Sequence, residues 1–163
     1  MLRRIRHTAS LAALLTLLST GAALAAGRGT VTETHHEHNV VFFSNPTVNP
    51  CTGEPGTITA TATNSVFHAT FFETSDEFWI TGTAEGVVTF TPEAAEGVSG
   101  IGHFALWFGE SHNNKNEVQH NTSTFVFSDS DGSHVVIHGN THLSTNASGE
   151  VTASFETESA HCA

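Results

Sequence analysis

The chain contains two cysteines, Cys51 and Cys162, and a segment that reads as an export signal precedes both. Export makes a disulfide permissible, and two cysteines allow one intramolecular pairing. A bond between them ties the exit of the first strand-like segment to the penultimate residue. The two ends of the folded chain must then meet, because bonded cysteines hold their Cα atoms within about 7 Å. The alternative is a pair of free thiols. Redox or zinc chemistry of the C-x-x-C type is not encoded, since that spacing is absent.

The leader is read over residues 1–25. Arg3, Arg4 and Arg6 form its positive region, Leu11 to Leu18 its apolar stretch, and Ala23-Leu24-Ala25 its cleavage site. A mature chain beginning near Ala26 or Gly27 is expected, with one domain over 26–163 and a secreted, extracellular location. No later segment approaches the roughly 18 unbroken apolar residues of a membrane span. Loss of the leader leaves Arg28 and Lys115 as the only Lys or Arg against sixteen acids. A chain this acidic repels phosphate backbones, which excludes nucleic acid as a partner. Eleven of the twelve histidines lie outside the leader. Many of them charge near pH 5, so minimum solubility is expected at mildly acidic pH.

Apolar residues alternate with polar ones, and helical periodicity is missing, which argues for an all-β domain. A first strand is read from Thr30 to Ser44 and a break over Asn45 to Pro50. A long second segment runs from Gly56 to Glu73. Its inward set changes phase, from Ile58, Ala60 and Ala62 to Phe67, Ala69 and Phe71, which places a bulge near Asn64-Ser65. Phe78, Ile80, Val88 and Phe90 share a face in the next strand, as do Phe104, Leu106 and Phe108 in the one after it. Asp129-Ser130-Asp131-Gly132 and Asn146-Ala147-Ser148-Gly149 read as type I turns closed by a left-handed Gly, each with a G1 bulge. That register opposes Phe127 to Val135 and Phe125 to Ile137, then Leu143 to Ala153 and Thr141 to Phe155. It gathers every large apolar side chain on one face. The opposite face then pairs His120 with His142, His138 with Glu158, and Asn140 with Glu156.

The expected architecture is a single antiparallel up-and-down β-barrel of about 7–9 strands, with a two-sheet β-sandwich as the alternative. Phe71, Phe78, Phe90, Phe104, Phe108, Phe125, Phe127 and Phe155 are its expected interior. They either fill it or leave a ligand cavity.

Several segments resemble a group of small secreted actinobacterial β-rich proteins: Asn49-Pro50-Cys51-Thr52-Gly53-Glu54, Val66-Phe67-His68-Ala69-Thr70, Trp107-Phe108-Gly109-Glu110, Ser130-Asp131-Gly132-Ser133 and the terminal Cys162. The resemblance implies secretion and a β-rich fold, and no activity comes with it.

Three kinds of site are considered. His134, His138 and His142 are spaced by four, so on a strand they lie roughly 13 Å apart at each step and cannot share an ion. His120 and His142, directly opposed, bring their Cβ atoms to about 5 Å, and Glu156 stands diagonally beside them. This trio is the candidate zinc or copper site. His35-His36-Glu37-His38 is a second, weaker cluster. His68 and His103 interrupt aromatic strands and are the candidate polar groups of a barrel cavity, in a carrier of the lipocalin type or in a cyclase or isomerase acting on a small apolar ligand. G-x-S-x-G, H-E-x-x-H and phosphate-loop motifs are missing. The leading expectation is a non-catalytic binding or cell-surface interaction module without a cofactor.

Overall fold

A computed structural model describes residues 29–163; the leader lies outside them. The described chain is all β, with no helix. It consists of β1 (Thr30–Glu37), β2 (Val40–Val48), β3 (Pro55–Phe72), β4 (Phe78–Pro92), β5 (Gly100–His112), β6 (Asn116–Asp129), β7 (His134–Asn146) and β8 (Val151–Cys162). Every pairing is antiparallel, and all eight strands join one sheet. No described helix is long and apolar enough to cross a membrane.

The expected first strand is two. Asn39 adopts a left-handed backbone (φ 56°) and bends the chain between β1 and β2. Both strands still pair with the same edge of β3, β1 with its second half and β2 with its first. The expected break at Asn45 does not occur, because β2 continues through Pro46 to Val48. An edge strand tolerates proline, whose missing N–H costs no ladder bond on the outward side.

The change of phase in β3 is present. The β3–β4 register shifts between Ala62 and Asn64, so Ala62 and Ser65 both face inward. Both glycine-closed turns are present too, with Gly132 and Gly149 at positive φ. The first hairpin has the expected register, Phe127 against Val135 and Phe125 against Ile137.

The second hairpin does not. A further bulge follows its turn: Thr145 faces Val151, but Ser144 faces Ala153. Thr152 is the extra residue, and its hydroxyl donates to the Ser144 carbonyl at 3.1 Å. The slip reverses the faces of β8. Phe155 moves to the outside opposite His142, while Glu156 opposes Thr141 and Glu158 opposes Gly139 on the inner side.

The sheet curls so that its inner face packs on itself. Phe43 of β2 meets Phe125 of β6 edge-on at 5.9 Å, and Phe104 stacks on Phe125 at 6.0 Å. Val88, Phe90 and Val135 are fully enclosed. Glycine makes this density possible: at Gly56 and Gly82 an added Cβ would run into the rings of Phe90 and Phe108.

Closure into a barrel, the expected architecture, is not made. Among the described residues no ladder joins β8 to β1 or β2. The reason is directional. β1 and β2 occupy one strand position, so an unbroken antiparallel series leaves β2 and β8 running the same way. An antiparallel closing ladder is therefore unavailable. Cys51–Cys162 spans the gap instead, with Cα atoms 5.6 Å apart.

Candidate functional site

The end of the sheet that carries the disulfide is knitted by buried polar groups. Asn49 is fully enclosed. Its amide oxygen accepts from the Cys51 and Thr52 backbone N–H groups, and its Nδ2 donates to Asp129 Oδ2 at 2.9 Å. Glu54 accepts from the Val98 N–H at 2.8 Å, and the Ser130 N–H donates to the Ser99 carbonyl at 2.7 Å. The Asn49 oxygen braces its own turn and the other links join one turn to another, which is a structural role.

The inner face at the opposite end is half-exposed and holds most of the titratable pairs. Glu33 lies 3.1 Å from His35, and Glu117 lies 3.7 Å from His112. Burial and the nearby Glu117 carboxylate raise the Glu110 pKa, against a smaller lowering by Gln119 and His112. Glu110 therefore favours the fold most at low pH, and that contribution fades as pH rises through its raised pKa. The Asp131 pKa is lowered by the Ser133 hydroxyl and N–H, both of which donate to its carboxylate.

The outer face of β5–β8 is different in kind. Directly opposed residues of antiparallel strands share a face, and one such row reads Gly109, His120, His142, Phe155. Trp107 leans over Gly109 and meets His120 edge-on at 5.4 Å. His120 and His142 stand 5.7 Å apart between ring centroids, and His142 stacks on Phe155 at 5.2 Å. Trp107 and Phe155 remain 42% and 45% exposed. The next row is Trp107, Thr122, Asn140, Thr157, and the one beyond it Ala105, Thr124, His138, Ser159. Between β6 and β8 these rows border an open depression of about 210 Å³, whose lining also includes Ser123, Gly139 and Glu158 from inner-face positions. Asn140 lines it, with an amide oxygen that has no partner. A ring platform beside hydroxyl and amide groups can stack on an apolar surface and hydrogen-bond at its edge.

The expected zinc or copper trio is only partly assembled. His120 and His142 are opposed as the sequence suggests, but the Thr152 bulge puts Glu156 on the other face and Phe155 in its place. Two imidazoles fall short of the four ligands of an ordinary zinc site. Among the described residues no group of three or more His, Cys, Asp or Glu is arranged to hold an ion. His68 and His103, the expected cavity groups, are both exposed on the outer face. His68 Nδ1 lies 2.9 Å from Thr34 Oγ1, and neither imidazole points into the core. His36 shares that outer face while His35 stacks inward on Phe67 at 4.9 Å, so the second histidine cluster is split across the sheet.

The sequence reading missed Trp107 and Phe155 as partners of the histidine pair. Trp107 was readable, since it alternates with the inward set Phe104, Leu106 and Phe108. Phe155 was not, because its face depends on one bulge. No family model, curated protein or solved structure matches the chain.

Proposed function

We propose that the protein is an exported, non-catalytic binding module that engages an extracellular or cell-surface partner through the outer face of β5–β8. The observation that carries this reading is the contrast between the two faces. The inner face is filled by its own aromatic side chains at the disulfide end. The outer face leaves Trp107 and Phe155 exposed around an imidazole pair, beside a depression lined by Thr122, Asn140 and Thr157. Exposed aromatic side chains clustered on one surface are a feature of recognition sites. The leader-like segment, the single disulfide and the resemblance to small secreted actinobacterial proteins support export.

Trp107 is also the reporter. The chain has two tryptophans, so Trp79→Phe leaves Trp107 as the only one. Its emission is to be followed while neutral polysaccharides, acidic polysaccharides and cell-envelope fragments are added. At least one should perturb the emission, and Trp107→Ala should weaken its binding by about tenfold or more, the loss of one stacking contact. Binding that is equally strong in Trp107→Ala and Phe155→Ala would place the site elsewhere. Failure to bind any of these materials would remove the reading.

A further inference from the structure

The outer face of β5–β8 carries His103, His120, His134, His138, His142 and His161, and its other side chains are uncharged. Carboxylates of the same strands, Glu110, Glu117, Glu156 and Glu158 among them, project from the inner side. A protein this acidic, with almost no lysine or arginine, thus keeps one surface whose charge is set by imidazoles alone. Resting on the binding reading above, we infer that this face is a pH-gated docking surface for an acidic polysaccharide.

Histidine ordinarily changes charge between pH 5 and 8. With its imidazoles neutral the face presents rings, hydroxyls and amides; with them protonated the same face is cationic. Lysines would keep such a face cationic throughout the physiological range; imidazoles make the attraction conditional. The local hydrogen bonds permit the change. His134 Nδ1 lies 2.9 Å from Ser128 Oγ, and His138 Nδ1 lies 3.0 Å from Thr124 Oγ1. A hydroxyl both donates and accepts, so each contact survives protonation of the ring.

Other charged groups border the face. Glu85 on β4 opposes Ala105 and lies diagonally from His103. Asp131 and Glu150 sit in the turns at the ends of β7. Glu93 and Glu96 lie in the loop between β4 and β5 at the Asp131 end, Lys115 lies in the β5–β6 turn at the other, and Glu158 lines the depression, so the charged groups other than imidazole stand at the margins of the patch. Between the turns the face is open to a polyanion.

The composition favours a hydrated polymer over a bilayer. The exposed apolar side chains fall into two separate groups, Ile101 and Val126 at one end and Trp107 and Phe155 at the other. The rows between them carry Thr122, Thr124, Asn140, Thr157 and Ser159. Pressing those groups into hydrocarbon would strip their hydration without giving them partners. A polyuronate chain instead offers carboxylates to the imidazoles, hydroxyls to the middle rows and a C–H face to Trp107.

The test uses the chain without its leader and polygalacturonate, whose carboxylates stay ionised at about pH 5. Dextran serves as the neutral polymer and phosphatidylglycerol vesicles as the anionic bilayer, all with a chelator present. Polygalacturonate should bind about tenfold or more tightly at pH 5 than at pH 7.5, as expected for several weak exposed ion pairs acting together, and added salt should remove the gain. The exposed triple variant His103→Gln/His134→Gln/His161→Gln, away from Trp107, Phe155 and the depression, should lose most of the gain while the Trp107-dependent binding at pH 7.5 persists. Equal affinity at the two pH values, or a gain that survives in the triple variant, would overturn the inference and leave the outer-face binding reading standing. Acid-dependent binding to the vesicles with none to polygalacturonate would overturn it in favour of a bilayer. Binding to polygalacturonate that is indifferent to Trp107→Ala would tell against the underlying reading instead.

Discussion

At the residue scale, the fold depends most on a side chain that the sequence presents as an ordinary turn residue. Asn49 begins the Asn49-Pro50-Cys51-Thr52-Gly53-Glu54 stretch, and its local signal is a break after a strand. In the structure it holds that turn with its oxygen and reaches Asp129, 80 residues away, with its nitrogen. Nothing local announces such a partner, so the contact was not legible, whereas the glycine turn that Asp129 opens was. The buried Asp129 carboxylate depends on it: Oδ2 accepts from Asn49 and from Ser133 at 3.4 Å, while Oδ1 has no partner. Asn49→Ala removes the closer donor and leaves two backbone N–H groups unanswered. Each unsatisfied buried group costs about 1–3 kcal/mol, so the variant should lose about 2–4 kcal/mol in urea unfolding. A loss within the few tenths typical of surface substitutions would show that Asn49 does not hold the two turns together.

At the element scale, burial separates the strands whose register could be read from the one that could not. β3 to β7 bury one face, and the alternation of their apolar residues specifies pairing, including the shift inside β3. β8 is exposed along its whole length. With neither face buried, gathering Phe155 with the other large apolar residues carries no energetic weight, and the expected register fails by one residue. What sets β8 is the Thr152 bulge at one end and the bond at Cys162 at the other. The inward charges of Glu156 and Glu158, together with the bulge, also suit a free edge, because they hinder pairing with another chain. Deleting Thr152 should therefore leave the rest of β8 in place, since Ala153 already faces Ser144 and Cys162 already faces Val135. Deleting Ser154 as well removes one residue more than the bulge can absorb, moves every later residue by one and carries Cys162 off its position. Thiol titration under non-denaturing, oxidising conditions should find no free thiol in the first variant and a substantial free fraction in the second. Equal oxidation in both would mean that the β8 register is not what brings the cysteines together.

At the scale of the whole molecule, the disulfide replaces a closing ladder. The sequence made the meeting of the ends legible but not the manner of it, because strand direction depends on β1 and β2 sharing one position beside β3. Counted that way, the outermost strands run parallel, and the sheet stays open between two edges joined at one end. Cys51 and Cys162 are separated by 111 positions in sequence. In the chain-entropy model such a crosslink contributes about 4–5 kcal/mol by restricting the unfolded chain. The five consecutive hairpin pairings from β3 to β8 require no crosslink, since each strand hydrogen-bonds its sequence neighbour. Loss of the bond should therefore act unevenly. In Cys51→Ser the global stability should fall by several kcal/mol. Amide exchange should then be fastest along β8, which has no buried face and keeps only its ladder with β7. Strands β3 to β6, around Val88, Phe90 and Phe104, should keep the slowest exchange. Exchange that accelerates uniformly through the sheet would mean that the bond supports the whole core, and an unchanged melting temperature would mean that the turn contacts of Asn49 and Asp129 already hold the ends together.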